Sequence, residues 1–80
     1  MRASHFRNRT TGKEVYAKVG VELSDLPKEA RTYLGTDEIT SGTMQYHLGD
    51  TWMGGPNITQ LIEDLKTKGF HTHTIVMPQS

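Results

Sequence analysis

The sequence predicts an α+β fold of ββαβαβ order, and three observations carry that prediction. Residues 14–23 alternate strictly between apolar and polar side chains, with Val15, Ala17, Val19, Val21 and Leu23 on one side. Leu26, Ala30, Tyr33 and Leu34 fall at i, i+4, i+7 and i+8, one stripe of a helix. Ile58, Leu61, Ile62 and Leu65 make a second stripe at i, i+3, i+4 and i+7. Strands with one apolar side and helices with one apolar stripe predict two layers: a four-stranded mixed sheet with both helices on one face and the other face open to water.

The first strand is expected over Ser4–Arg9, with Phe6 inward and His5, Arg7 and Arg9 outward. Thr10-Thr11-Gly12-Lys13 follows, and Gly12 suits the positive φ of a hairpin turn. In the second strand Glu14, Tyr16, Lys18 and Glu22 are expected on the open face. Ser24 or Asp25 is placed to cap the first helix, Pro27 suits its first turn and Gly35 its end. Thr36–Thr43 reads as a loop, and Met44-Gln45-Tyr46-His47-Leu48 as a third strand with Met44, Tyr46 and Leu48 inward.

The second helix is the better specified. Asn57 with Gln60 three residues on resembles a capping box, Lys66 and Lys68 suit the negative end of the helix dipole, and Gly69 suits the residue just past it, with Phe70 packing back on Leu65. A final strand is expected over His71–Met77, closed by Pro78, with two facings open: Ile75 and Met77 with His71 and His73, or Val76 with Thr72 and Thr74. The segment from Met44 through the second helix to this strand is expected to form a right-handed crossover between parallel strands.

Length and composition bound the function. Eighty residues fit a single small domain, residues 1–80, with a thin core, since Leu, Ile, Val and Phe supply only 20% of the chain. The absence of cysteine excludes disulfide frameworks, thiol catalysis and cysteine-based zinc sites, and fits a cytoplasmic location. No apolar run approaches the ~20 residues of a membrane helix, and the opening residues lack the apolar core of a secretion signal. Charge balances overall but not locally. Residues 1–20 carry a net +4 from Arg2, Arg7, Arg9, Lys13 and Lys18 against Glu14, and residues 21–40 a net −3.

Several groups are candidates for chemistry. His71 and His73 would stand on one side of a strand about 7 Å apart, chelating spacing that His47 and Asp50 would have to complete, and a solvated or half-buried pair is the favoured reading, so no metal is assigned. Glu63 and Asp64 are neighbours on a helix, whose side chains diverge; solvation and an Asp64–Lys68 pair suit them better than catalysis. No serine sits in a recognisable nucleophile motif, so no enzyme activity and no cofactor are expected. The Trp52-Met53-Gly54-Gly55-Pro56-Asn57 segment delivers two glycines to a helix N-terminus, where an anion is favoured; Trp52, Gly54, Gly55 and Asn57 are thus candidate ligand-binding residues for a nucleotide or phosphate. The basic hairpin with its tyrosine suggests a contact surface of Arg7, Arg9, Tyr16 and Lys18, with Trp52 at the rim.

The sequence therefore points to a small binding protein acting by protein–protein contact, and the basic hairpin suits an acidic partner. An inhibitor, an antitoxin-like factor or a regulatory subunit encoded by a phage or mobile element would fit. RNA, DNA or nucleotide binding through the same hairpin or the Trp52–Gly55 loop is the alternative. A homodimer formed by edge-strand pairing is compatible with the open sheet.

Overall fold

The computed structural model describes residues 1–52 and 55–75. Its elements are β1 (Arg2–Asn8), β2 (Lys13–Lys18), a 3₁₀ turn (Leu23–Asp25), α1 (Lys28–Leu34), β3 (Ile39–Gln45), α2 (Ile58–Thr67) and β4 (Phe70–Thr74). This is the α+β chain of four strands and two helices that the sequence predicts. The expectations placed on Gly54, Val76, Met77 and Pro78 lie outside the described residues. Among the described residues no helix is long and apolar enough to cross a membrane.

The strands lie in the order β3-β1-β2-β4, and all three neighbouring pairs are antiparallel. The expected mixed sheet is therefore corrected. The β1–β2 hairpin takes the centre, and each later strand adds to a different outer edge, so β3 and β4 never meet and no parallel crossover forms. The hairpin itself closes as expected. Gly12 has φ 79° and donates to the Asn8 carbonyl at 2.9 Å, while Asn8 Oδ1 accepts the amides of Thr10 and Thr11.

Register decides what each face presents. Phe6 stands opposite Val15, His5 opposite Tyr16 and Arg7 opposite Glu14. Phe6, Val15 and Ala17 thus share one face, where they pack with Phe70 under Leu26, Ala30 and Leu34 of the α1 side. Ala3 and Tyr16 share the other, where they pack with Tyr46 under Ile58, Leu61 and Leu65 of α2. The two helices cover opposite faces and the molecule has three layers, which corrects the expectation of both helices on one face. The physical reason is that the polar-looking face is only partly polar. The Tyr16 ring, Ala3 and Met44 give α2 an apolar seat, and the twelve-residue connection from Tyr46 to Asn57 is long enough to carry the chain there.

Local chemistry explains the other departures. The alternation over residues 14–23 stops early, because Gly20, at φ 92°, turns the chain and Val21 donates to the Lys18 carbonyl. Val19 is left 55% exposed and Leu23 39% exposed instead of buried. The polar stretch expected as a loop is most of β3, paired with β1 from Asn8–Ile39 to Arg2–Gln45. An edge strand needs few apolar residues, which hides it from hydrophobic periodicity. Tyr46 is buried as expected, but Leu48 lies past the ladder and is 75% exposed. Asp25 belongs to the 3₁₀ turn, closed reciprocally with Glu22, and Pro27 holds the cap position of α1. Asn57 caps α2, accepting the Gln60 amide at 3.0 Å. Gly69, at φ 85°, ends α2, but Phe70 turns to the α1 face and does not pack on Leu65.

Asn8 links two of these elements. It is 2% exposed, and its Nδ2 donates to the Leu34 carbonyl at 2.8 Å, satisfying the last turn of α1. Asn8→Ala removes this bond and the one oxygen that accepts both turn amides, leaving a buried carbonyl unpaired. The expected loss is about 2 kcal/mol of unfolding free energy, measured as a lower midpoint in urea with an unchanged slope.

Candidate functional site

The α2-facing side of the hairpin carries a buried carboxylate. Glu14 is 1% exposed. Its Oε2 lies 2.6 Å from His5 Nε2 and accepts Arg7 Nε at 2.8 Å, and its Oε1 accepts the Tyr16 hydroxyl at 3.0 Å. Strand geometry assembles this group. Arg7 is directly opposite Glu14 in the ladder, Tyr16 is two residues along the same face, and His5 is opposite Tyr16. The His5 and Tyr16 rings stack with centroids 4.7 Å apart at 19°.

Burial pushes the Glu14 carboxyl up, but the hydrogen bonds from His5, Arg7 and Tyr16 outweigh it and hold the group below the usual carboxylate value. An ionised carboxylate only accepts, so His5 Nε2 carries a proton and donates. Tyr16 shows the converse: burial, then the charge and hydrogen bond of Glu14, push its hydroxyl up and keep it a protonated donor.

A second buried pair adjoins the first. His71 stands opposite Tyr16 on the β4 side, their rings 6.1 Å apart. His71 Nδ1 lies 2.7 Å from Asp64 Oδ2, and Gln60 Nε2 donates to Asp64 Oδ1 at 2.9 Å. The His71 hydrogen bond, against a smaller effect of burial, lowers the Asp64 carboxyl, with help from Gln60 and the Lys68 charge. The Asp64 side chain thus turns into the sheet instead of standing solvated beside Glu63. Hydrogen-bonded polar pairs of this kind let α2 pack on a face that carries charge.

A cleft of about 390 Å³ opens over the first group. His5, Arg7, Glu14 and Tyr16 line it together with Met44, Trp52, Gly55, Pro56 and Ile75. Gly55 is required there, since a Cβ on it would lie 2.7 Å from Trp52 Cβ. Arg7 remains 45% exposed and His5 22% exposed. With Arg7 Nε and His5 Nε2 engaged by Glu14, the Arg7 Nη groups remain as charged donors for a bound molecule.

The cleft gathers Arg7, Tyr16, Trp52 and Gly55 from the two sets of candidate residues. The exposed sheet surface expected of Arg7, Arg9, Tyr16 and Lys18 is corrected. Tyr16 is 3% exposed beneath α2, Arg9 lies past the end of β1, and Lys18 stands at the far end of β2 beside Met1, Arg2 and Lys66. Asn57 is in the neighbouring depression at the start of α2, where the Asp50 carboxylate also lies and opposes an anion. Sequence reasoning missed Glu14 as the organising group, and did not bring Asp64 to His71. The signal for Glu14 was its position two residues from Tyr16 and, once the hairpin is set on Gly12, across from Arg7. His47 closes its own turn, its amide donating to Asp50 Oδ2 at 2.7 Å. Among the described residues no group of three or more His, Cys, Asp or Glu is placed to hold a metal ion.

No protein-family model, curated protein or solved structure matches this chain.

Acid titration reads this site directly. Carboxyls depressed in the folded state contribute stability that is present above their unfolded values and lost as pH falls through the folded ones. Glu14 and Asp64 start from 4.5 and 3.8, so the loss is expected below about pH 4.5. Urea denaturation at stepped pH should show a shallower acid decline for Glu14→Gln than for the parent chain. Tyr16→Phe keeps the ring and removes one donor to a buried charge, with an expected loss of about 1–2 kcal/mol at neutral pH.

Proposed function

We propose that this chain is a small binding protein that acts by protein–protein contact, and that its cleft takes an acidic group of the partner. The observation that carries the reading is the placement of Arg7. Its Nε is fixed by a carboxylate that is itself fixed by His5 and Tyr16, while its guanidinium remains half exposed at the mouth of a cleft with apolar walls. A pre-oriented guanidinium offers its remaining Nη donors to an incoming carboxylate with little ordering cost. Trp52, Met44, Pro56 and Ile75 then supply apolar contact for the stem or neighbouring residue of the acidic side chain.

The chemistry of the lining supports binding over catalysis. Glu14 is held ionised with three donors on it, which makes it a poor proton donor and an occupied acceptor. Tyr16 is held protonated, which makes it a poor nucleophile. Among the described residues the lining contains no Ser, Thr, Cys or Lys beside His5.

A random peptide library selected against the immobilised full chain tests the proposal. Peptides rich in Asp or Glu are expected. Arg7→Glu and Trp52→Ala should each weaken the selected peptides by about tenfold or more, whereas Arg9→Glu and Lys18→Glu leave them unchanged. Thermal unfolding of each variant checks that the fold is kept. Selection without acidic bias, or equal loss on Arg9→Glu, overturns the reading. Binding of RNA, DNA or nucleotides that depends on Arg7 and falls steeply with salt favours the nucleic-acid alternative instead.

A further inference from the structure

The geometry points to a second binding element beside the cleft, with which it shares Met44: the free edge of β3, which we infer pairs antiparallel with β3 of a second copy of this chain about a twofold axis at Gly42. Among the described residues β3 borders the sheet and pairs with β1 alone. Natural edge strands are protected from one another by charge, proline or a bulge. Ile39-Thr40-Ser41-Gly42-Thr43-Met44-Gln45 contains no charge and no proline, and its ladder with β1 runs unbroken over all seven residues.

The hydrogen-bond phase shows which backbone groups point outward. The Met1 amino group donates to the Tyr46 carbonyl and the Tyr46 amide to the Met1 carbonyl, both at 2.8 Å, so Met1–Tyr46 is a bonded pair. At the other end the Arg9 amide donates to Glu38. Bonded pairs recur at every second residue, which makes Ala3–Met44, His5–Gly42 and Arg7–Thr40 the bonded pairs between. The amides and carbonyls of Ile39, Ser41, Thr43 and Gln45 therefore face away from β1.

These four residues are self-complementary. With Gly42 opposite Gly42, Ile39 meets Gln45 and Ser41 meets Thr43 of the second copy, and every outward group finds an outward partner. This register overlaps the whole strand. Hydroxyl side chains face each other across it, a favourable cross-strand pairing. Asp37 and Glu38, just outside the strand, fall opposite His47 and Tyr46 of the second copy and not opposite each other. Two neutral copies also lack net repulsion. Beside the strand on the α1 face, an open groove of about 410 Å³ carries Phe6, Val21, Leu23 and Ile39 alongside polar residues such as Ser4 and Glu22, and a neighbouring sheet edge would border it.

The chain has no cysteine, so a single introduced one reports the register. Gly42 does not require positive φ, and a Cβ there meets nothing within 4 Å. In the proposed dimer the two Gly42 Cα atoms form a non-bonded pair about 4.5 Å apart, within disulfide reach. Thr40 lies opposite Met44 of the second copy, so the two Thr40 positions are about 13 Å apart, beyond reach. Under oxidised glutathione Gly42→Cys is expected to give about tenfold more disulfide-linked dimer than Thr40→Cys. In analytical ultracentrifugation of the native chain, mass should rise with concentration from 9.0 kDa toward twice that. Ser41→Lys with Thr43→Lys sets lysines opposite one another and should weaken the dimer about tenfold or more, and mixing that variant with Ser41→Glu/Thr43→Glu should restore association. A native chain that stays monomeric to millimolar concentration, or equal cross-linking at positions 42 and 40, overturns the proposal.

Discussion

The Glu14 carboxylate constrains the rest of the molecule. A charge buried this deeply is strongly destabilising when unpaired, and here it is held by three donors from the same face of one hairpin. Those donors coincide only when Arg7 stands opposite Glu14 and His5 opposite Tyr16. Slipping β1 against β2 by one residue would turn Arg7 and His5 to the opposite face and leave Glu14 buried with Tyr16, on its own strand, as the one remaining donor of the three. The carboxylate therefore penalises the alternative registers of a hairpin whose apolar content is low.

With register set, the two faces acquire their separate roles. Phe6, Val15 and Ala17 form an apolar surface for α1, to which Asn8 adds a hydrogen bond at the end of the helix. The opposite face satisfies its charges internally, so α2 can lie over a tyrosine, a histidine and a carboxylate without an orphaned polar group; among the described residues every buried side-chain nitrogen and oxygen has a partner. α2 contributes to this itself through Asp64 and Gln60. Its helix is thus anchored by both an apolar stripe and a buried polar pair, and the segment leading into it places Trp52 beside Arg7.

The parts legible in the sequence were those set by local chemistry. Gly12 marked the hairpin, Asn57 the cap of α2, Gly35 and Gly69 the helix ends, and the stripes of Leu61 and Leu34 the buried sides of the helices. The layering was not legible, because a period-two pattern reports which residues alternate and not whether the polar set is covered. Glu14, Tyr16 and His5 look like an exposed face one at a time and become buriable only as a group. β3 escaped for a different reason: its stability comes from backbone pairing to β1, which leaves no apolar signature. For the site, Arg7, Tyr16 and Trp52 were legible as members of one surface, while the cleft they line over a buried Tyr16 depends on α2 crossing to the second face, a consequence of tertiary packing.

A sheet covered on both sides divides the interior into two apolar clusters with no buried residue in common. Substitutions at Leu34 or Val15 act on one half and substitutions at Leu61 or Ala3 on the other, and distant sites without shared neighbours contribute almost additively to stability. A change of volume beside Leu34 therefore acts on the α1 half and leaves the packing under α2, which carries Glu14 and its three donors, largely undisturbed.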